Sequence, residues 1–189
     1  MTISDDYRAT LQVLHERNPW GTTGGAYAGD TIAKILKNTP EIRTVLDYGC
    51  GEGGLKEYVE KLGVTDREWT LYDPGMKRFS GRPEGKFDLV VTTDVLEHVE
   101  PDKQDEVLLE LIGYSNNFIF NEIACYKTHK QFREGPYKGM DLHINLRVPD
   151  VWRDQIEDIA RPHGFKRAYS IVSLLEGWKV RYLSILYKR

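Results

Sequence analysis

Val45-Leu46-Asp47-Tyr48-Gly49-Cys50-Gly51-Glu52-Gly53-Gly54 is an apolar run that closes on an acid and breaks into a glycine loop. A buried strand ending in Asp-x-Gly-x-Gly lets backbone come close to a ligand, because glycine has no Cβ to hold it away. The strand, its loop and the helix that follows therefore form a candidate cofactor cradle. Whether it holds a dinucleotide, a phosphate or another ligand is decided by the rest of the chain.

Upstream, Tyr7, Leu11 and Leu14, with Ser4 or Asp5 as N-cap, predict a short amphipathic helix from Asp5 to His15. From Asn18 to Gly29, Pro19 and several glycines exclude regular structure, while Trp20 and Tyr27 offer something to pack with. This stretch is expected to be a surface linker or a lid over the ligand site. Asp30 then caps a helix carrying Ile32, Ile35 and Leu36 that ends before Pro40.

Downstream, Leu55, Tyr58, Val59 and Leu62 predict a helix from Gly54 to Gly63. Strands follow at Glu68 to Asp73 and Phe87 to Asp94, so that three strands end on acids, Asp47, Asp73 and Asp94. Pro101 opens a helix through Tyr114, and Asn117 to Asn121 is a short strand. An irregular segment, Cys125 to Pro149, precedes a helix carrying Val151, Trp152, Ile156 and Ile159. The chain finishes with Phe165 to Leu175 and Trp178 to Tyr187, joined at Glu176-Gly177 as a tight hairpin.

Strands alternate with helices until the last two, which predicts an α/β domain with a mostly parallel sheet and an antiparallel C-terminal strand. In such sheets ligands sit at the carboxyl ends of the strands, where strand order reverses, and the three acids fall on that edge. With 189 residues and 40% hydrophobic content, one domain is expected. A net charge of −3 excludes a global basic field for nucleic acid. Two cysteines, Cys50 and Cys125, are too few for a disulfide framework, and no Cys/His spacing suggests a metal. No signal-like or membrane-length run occurs, so a soluble, unprocessed, cytoplasmic protein is expected.

Gly49 to Gly54 satisfies Gly-x-Gly-x-x-Gly, with Asp73 twenty-four positions after Gly49 where an acid accepts ribose hydroxyls. Against a dinucleotide stand Asp47 beside the loop and Glu52 within it, since like charges oppose a pyrophosphate. A cationic ligand turns the same acids into partners. Val45 to Gly53 resembles the first motif of the class I (Rossmann-like) S-adenosyl-L-methionine (SAM)-dependent methyltransferases, Leu71-Tyr72-Asp73 the second-strand motif, and Phe87 to Val99 the fourth-strand motif. The resemblance implies a Rossmann-like doubly wound sheet and SAM as methyl donor, giving S-adenosyl-L-homocysteine (SAH). It also implies cofactor contacts at Asp47, Tyr48, Gly49, Cys50, Gly51, Asp73, Pro74, Asp94 and Val95. Only thirteen residues, Pro74 to Lys86, separate the second and fourth motifs, so the third-strand region is expected to be shortened or lost. Pro74, Met76 or Phe79 then supply the adenine wall.

Three parts follow: an N-terminal helix and lid (1–29), a cofactor-binding half (30–124), and an acceptor side (125–189). Methyl transfer from a sulfonium is an in-line displacement, with a base needed only for a protonated acceptor. Glu122 and His143 are the candidate bases, while His98 is either a pH-sensitive base or the partner of a local hydrogen bond. Tyr126 to Arg147 holds five bases against two acids, which suits a small or medium anionic acceptor as readily as a solvated loop. Tyr126, Phe132, Tyr137 and Trp152 are acceptor wall or core. Nucleic acid and membrane are not expected partners. The other readings are a non-catalytic SAM-binding regulator and a nicotinamide-dependent oxidoreductase.

Overall fold

β1 (Thr44–Tyr48) divides its side chains between two cores, as a strand covered on both faces must. Val45 packs with Leu89, Val91 and Phe120 on one face, and Leu46 and Tyr48 join Val90 and Ile119 on the other. The computed structural model describes residues 3–17 and 24–188. The first core is closed by α2 (Gly24–Asn38) and α3 (Gly54–Lys61), through Ile32, Leu36, Leu55 and Val59. The second is closed by α4 (Gln104–Tyr114) and α5 (Pro149–Ala160), through Val107, Leu111, Trp152 and Ile156.

The sheet has six strands in the order β2-β1-β3-β4-β6-β5. They are β2 (Glu68–Tyr72), β3 (Phe87–Thr93), β4 (Ser115–Ala124), β5 (Lys166–Leu175) and β6 (Lys179–Tyr187) around β1. β1 to β4 are parallel, and β6 runs antiparallel between β4 and β5. This is the mixed, Rossmann-like sheet the sequence predicts. Strand order reverses at β1, which has β2 on one side and β3 on the other. The carboxyl ends of these three strands bring Asp47, Asp73 and Asp94 to one edge.

Between β2 and β3 the chain makes one 3₁₀ turn, Lys77–Phe79, and neither a full helix nor a strand. β2 is therefore the edge of the sheet. At the far edge, Glu176 (φ 50°), Gly177 (φ 75°) and Trp178 form the three-residue turn of the β5–β6 hairpin, with the Trp178 N–H donating to the Leu175 carbonyl at 3.2 Å.

Two predicted helix starts are wrong, and the short strand expected at Asn117 to Asn121 extends over Ser115–Ala124. Gly24 to Gly29 is helical, and Asp30 lies inside α2 instead of capping it; residues 18–23 lie outside the described residues. The reason is visible at Gly29, where a Cβ would come within 2.3 Å of the Tyr58 ring. The small residues set the spacing of α2 against α3 and do not break the helix. Pro101 stands in a turn before α4, which begins at Gln104. The N-terminal helix α1 (Asp5–Arg17) forms as expected, with Ser4 Oγ accepting the Tyr7 N–H at 3.1 Å.

Candidate active site

The loop leaves β1 through left-handed turns at Gly49 (φ 81°), Gly51 (φ 50°) and Gly53 (φ 83°), angles that glycine alone takes without strain. At Gly49 a Cβ would also fall 2.4 Å from a Val95 methyl. The N–H groups of Gly49 and Cys50 both donate to the Tyr72 carbonyl, at 2.7 and 3.1 Å, which ties the loop to the end of β2. Asp73 completes the cradle: the Gly51 N–H donates to Oδ2 at 3.0 Å and the Gly75 N–H to Oδ1 at 2.8 Å. Each oxygen keeps a further lone pair for a ligand.

Asp47 differs from Asp73. It is buried at the end of β1, and neither carboxylate oxygen has a hydrogen-bond partner among the described residues. Burial first, and then the charge of Asp73, push it up to about 7. A buried carboxylate in this state is costly, and a cationic donor arriving from the cavity relieves the cost. Cys50 is not a nucleophile, because burial and the neighbouring acids push its thiol up.

These groups floor a cavity of about 350 Å³ that is lined by Asp47, Tyr48, Gly49, Cys50, Gly51, Asp73, Pro74, Asp94 and Val95. α1 roofs it with Tyr7, Leu11, Leu14 and His15. The roof is held by polar bonds at its start: Ser4 donates through N–H and Oγ to the Glu100 carboxylate, at 2.8 and 2.7 Å, and the Tyr7 hydroxyl donates to the His98 carbonyl at 2.5 Å. Beneath it Tyr7 packs with Phe132 and Leu142 from the irregular segment. The far wall carries His98, His143, Tyr126, Lys130 and Trp178.

Residues 20–166, more than half of the chain, match the family described as methyltransferase domain. The chain belongs to that methyltransferase family. No curated protein matches it in sequence. Among solved structures it is similar to the plantazolicin methyltransferase BpumL in complex with a triazolic desmethylPZN analog and SAH, at TM-score 0.64 and 13% identity, over 96% of this chain and 90% of that one. It is also similar to magnesium protoporphyrin IX methyltransferase (ChlM) from Synechocystis PCC 6803 with bound SAH, at TM-score 0.54 and 13% identity, over 88% and 84% of the two chains. The 1,6-didemethyltoxoflavin-N1-methyltransferase of Burkholderia thailandensis gives TM-score 0.54 and 16% identity, over 86% and 78%. At these identities the likeness is one of fold.

Within the methyltransferase cavity, the nine residues expected to hold cofactor are brought together, and His143 joins the far wall. Glu122 is not: it lies buried behind the cavity, bonded to the Arg181 guanidinium, which also bonds Asp94. Glu122 does not line the cavity, and its carboxylate is engaged by Arg181. Arg181 is the residue that sequence reading passed over, although a lone arginine inside the apolar strand β6 was its signal. Its guanidinium also lies 4.1 Å from the Tyr27 ring centroid, tying α2 to the site. Asp94 is held at φ 54° with its N–H donating to the Glu122 carbonyl at 3.0 Å.

Glu52 does not oppose an anionic ligand as the sequence suggests, because Arg78 pairs with it. The case for a cationic ligand therefore rests on Asp47 and Asp73. Of the five bases between Tyr126 and Arg147, Lys130 reaches the cavity wall, where Lys179 joins it from β6. Arg147 instead bonds Asn145 and Gln155 and lies over the Trp152 ring in the core.

The two histidines share a chemistry. His98 Nδ1 bonds the Leu142 carbonyl at 2.8 Å, and His143 Nδ1 bonds the Tyr126 carbonyl. A carbonyl only accepts, so each Nδ1 carries the proton and each Nε2 keeps a free lone pair. Burial lowers both, His98 to about 4 with His143 adding to the effect, so the rings are neutral at pH 7.

Proposed function

We propose that this methyltransferase takes SAM as methyl donor, releases SAH, and methylates a small or medium anionic acceptor. The observation that carries the cofactor assignment is Asp47, a buried carboxylate without a partner on the floor of the cavity. The residues present fit the cofactor. Asp47 would accept from its ammonium, the Asp73 oxygens would accept from its ribose hydroxyls, and the loop from Tyr48 to Gly51 would bring backbone against the methionine portion. Pro74 would serve the adenine side, and Asp94 and Val95 the methionine moiety. Solved structures of similar fold that hold SAM or SAH support the reading.

When bound, SAM supplies a methyl group on a sulfonium sulfur, which an acceptor lone pair displaces in line as the neutral thioether leaves. The chain's own part is placement and exclusion of water. α1 covers the cavity, and the Arg181 pair holds Asp94 in its strained turn. His98 and His143 present Nε2 lone pairs to the acceptor, and Lys130 brings positive charge to the cavity wall, while Lys179 beside it is paired with Glu176. Among the described residues no helix is long and apolar enough to cross a membrane, and both cysteines are free, which supports a cytoplasmic location.

The test is mass spectrometry of a cell extract incubated with the protein and isotopically labelled SAM. A labelled small molecule supports the proposal and names the acceptor. Tight SAM binding with no labelled product on any extract contradicts it in favour of a binding protein.

A further inference from the structure

Glu97 and His98 are neighbours after β3, and the fold brings His143 to them from the irregular segment; the two histidines line the acceptor end of the cavity and Glu97 lies buried behind them. One ligand-capable atom of each lies within 4.8 Å of the others. A first-row divalent ion holds nitrogen and carboxylate ligands at about 2.0–2.2 Å, which puts the ligand atoms of a tetrahedral set about 3.5 Å apart, so the three side chains close on an ion by drawing together by about 1 Å.

Glu97 is fully buried. Its Oε1 accepts the Ala124 N–H at 2.8 Å, while Oε2 has no hydrogen-bond partner. An isolated buried carboxylate oxygen calls for a counter-charge. Arg181 stands nearby, but Asp94 and Glu122 already meet its charge. The histidines are arranged as ligands are: each Nδ1–H is fixed by a backbone carbonyl, which orients the ring and leaves Nε2 for coordination. Both histidines line the cavity, so an ion held by three protein ligands keeps open positions toward the acceptor, the pattern of catalytic and not of closed structural sites.

We propose that Glu97 Oε2, His98 Nε2 and His143 Nε2 form a divalent transition-metal site whose open position takes an oxygen atom of the methyl acceptor. Two imidazoles and one carboxylate select zinc, manganese, iron or cobalt over magnesium and calcium, which need oxygen ligands throughout. The acceptor half of this proposal rests on the methyltransferase reading; the metal half does not. The acceptor class is narrowed to molecules with a hydroxyl or carboxylate oxygen near the methylated atom.

Metal-stripped protein titrated with Zn(II) in a calorimeter tests the site, alongside Glu97→Gln and His143→Gln, with SAH titrated into each. The expected result is one ion per chain in the wild type and a loss of about 100-fold in affinity in both variants, with SAH affinity changed less than about threefold. Co(II) added to the wild type gives visible absorption bands of a four- or five-coordinate site, a readout that needs no variant. Absence of stoichiometric Zn(II) binding and of those bands overturns the site, as does variant binding equal to wild type. Loss of SAH binding by the wild type with metal binding intact overturns the methyltransferase reading and the acceptor half, and leaves the metal site standing.

Discussion

The carboxylates of Asp47 and Asp73 share the floor of one cavity, and the charge of the second adds to burial in pushing the first up to about 7. Asp73 spends its charge on the Gly51 and Gly75 amides, and Asp47 has no partner of its own.

The pH dependence follows from that pair. Asp47 has an ordinary value of 3.8 and a folded value of about 7, so the ligand-free fold loses stability as pH rises between the two, and the loss is complete above about 7. A cationic ligand binds the ionised form. SAM affinity should therefore fall about tenfold from pH 8 to pH 6, with proton release on binding near pH 6 and little above pH 8. Calorimetry in buffers of different ionisation enthalpy measures this; affinity and proton release flat across the range would remove Asp47 from the site.

Gly49→Ala meets two obstacles, the positive φ and the Val95 methyl 2.4 Å from the new Cβ. We expect a loss of about 2–3 kcal/mol in urea unfolding together with loss of SAH binding. Adding Val95→Ala removes the clash and leaves the backbone penalty of about 1 kcal/mol. Full recovery in the double variant would show that the turn carries no strain.

Arg181 holds Asp94 and Glu122 together inside the protein. Arg181→Met strands two like charges and should cost about 3–5 kcal/mol in denaturant unfolding. Glu122→Gln keeps a hydrogen-bond acceptor for Arg181 and should lower kcat by less than about tenfold, with the shape of the pH–rate profile unchanged. A drop of about a thousandfold with loss of one limb of that profile would make Glu122 a base after all.

Charge at the acceptor end is tested at two lysine and arginine positions that differ in placement. Lys130 lines the cavity and Arg133 is exposed away from it. Lys130→Glu should raise the KM for an anionic acceptor about tenfold with little change in kcat, and Arg133→Glu should leave both near wild type. An unchanged KM in Lys130→Glu argues for a neutral acceptor.

The sheet and the cofactor end were legible because their signals are local. Val45 to Gly54 carries its strand, turn and loop in ten consecutive residues, and the acids at 47, 73 and 94 mark strand ends directly. The thirteen residues between Asp73 and Phe87 were too short and too rich in proline and glycine for a helix and a strand, and none formed. The misses are of the opposite kind. Gly29 looks like a breaker until Tyr58 is seen against it, and the pairing of Glu122 with Arg181 shows only when the strand near the end of the chain is laid beside β4. His98 and His143 meet only because the irregular segment folds back beneath α1. No spacing rule along the chain reports such meetings.

The central claim is that this cradle holds the adenosyl methyl donor and its thioether product and not a dinucleotide. Direct titration of the wild type with SAH and with NAD tests it. One SAH per chain at about micromolar Kd, with NAD at least about 100-fold weaker, is the predicted result. NAD binding tighter than SAH would contradict it.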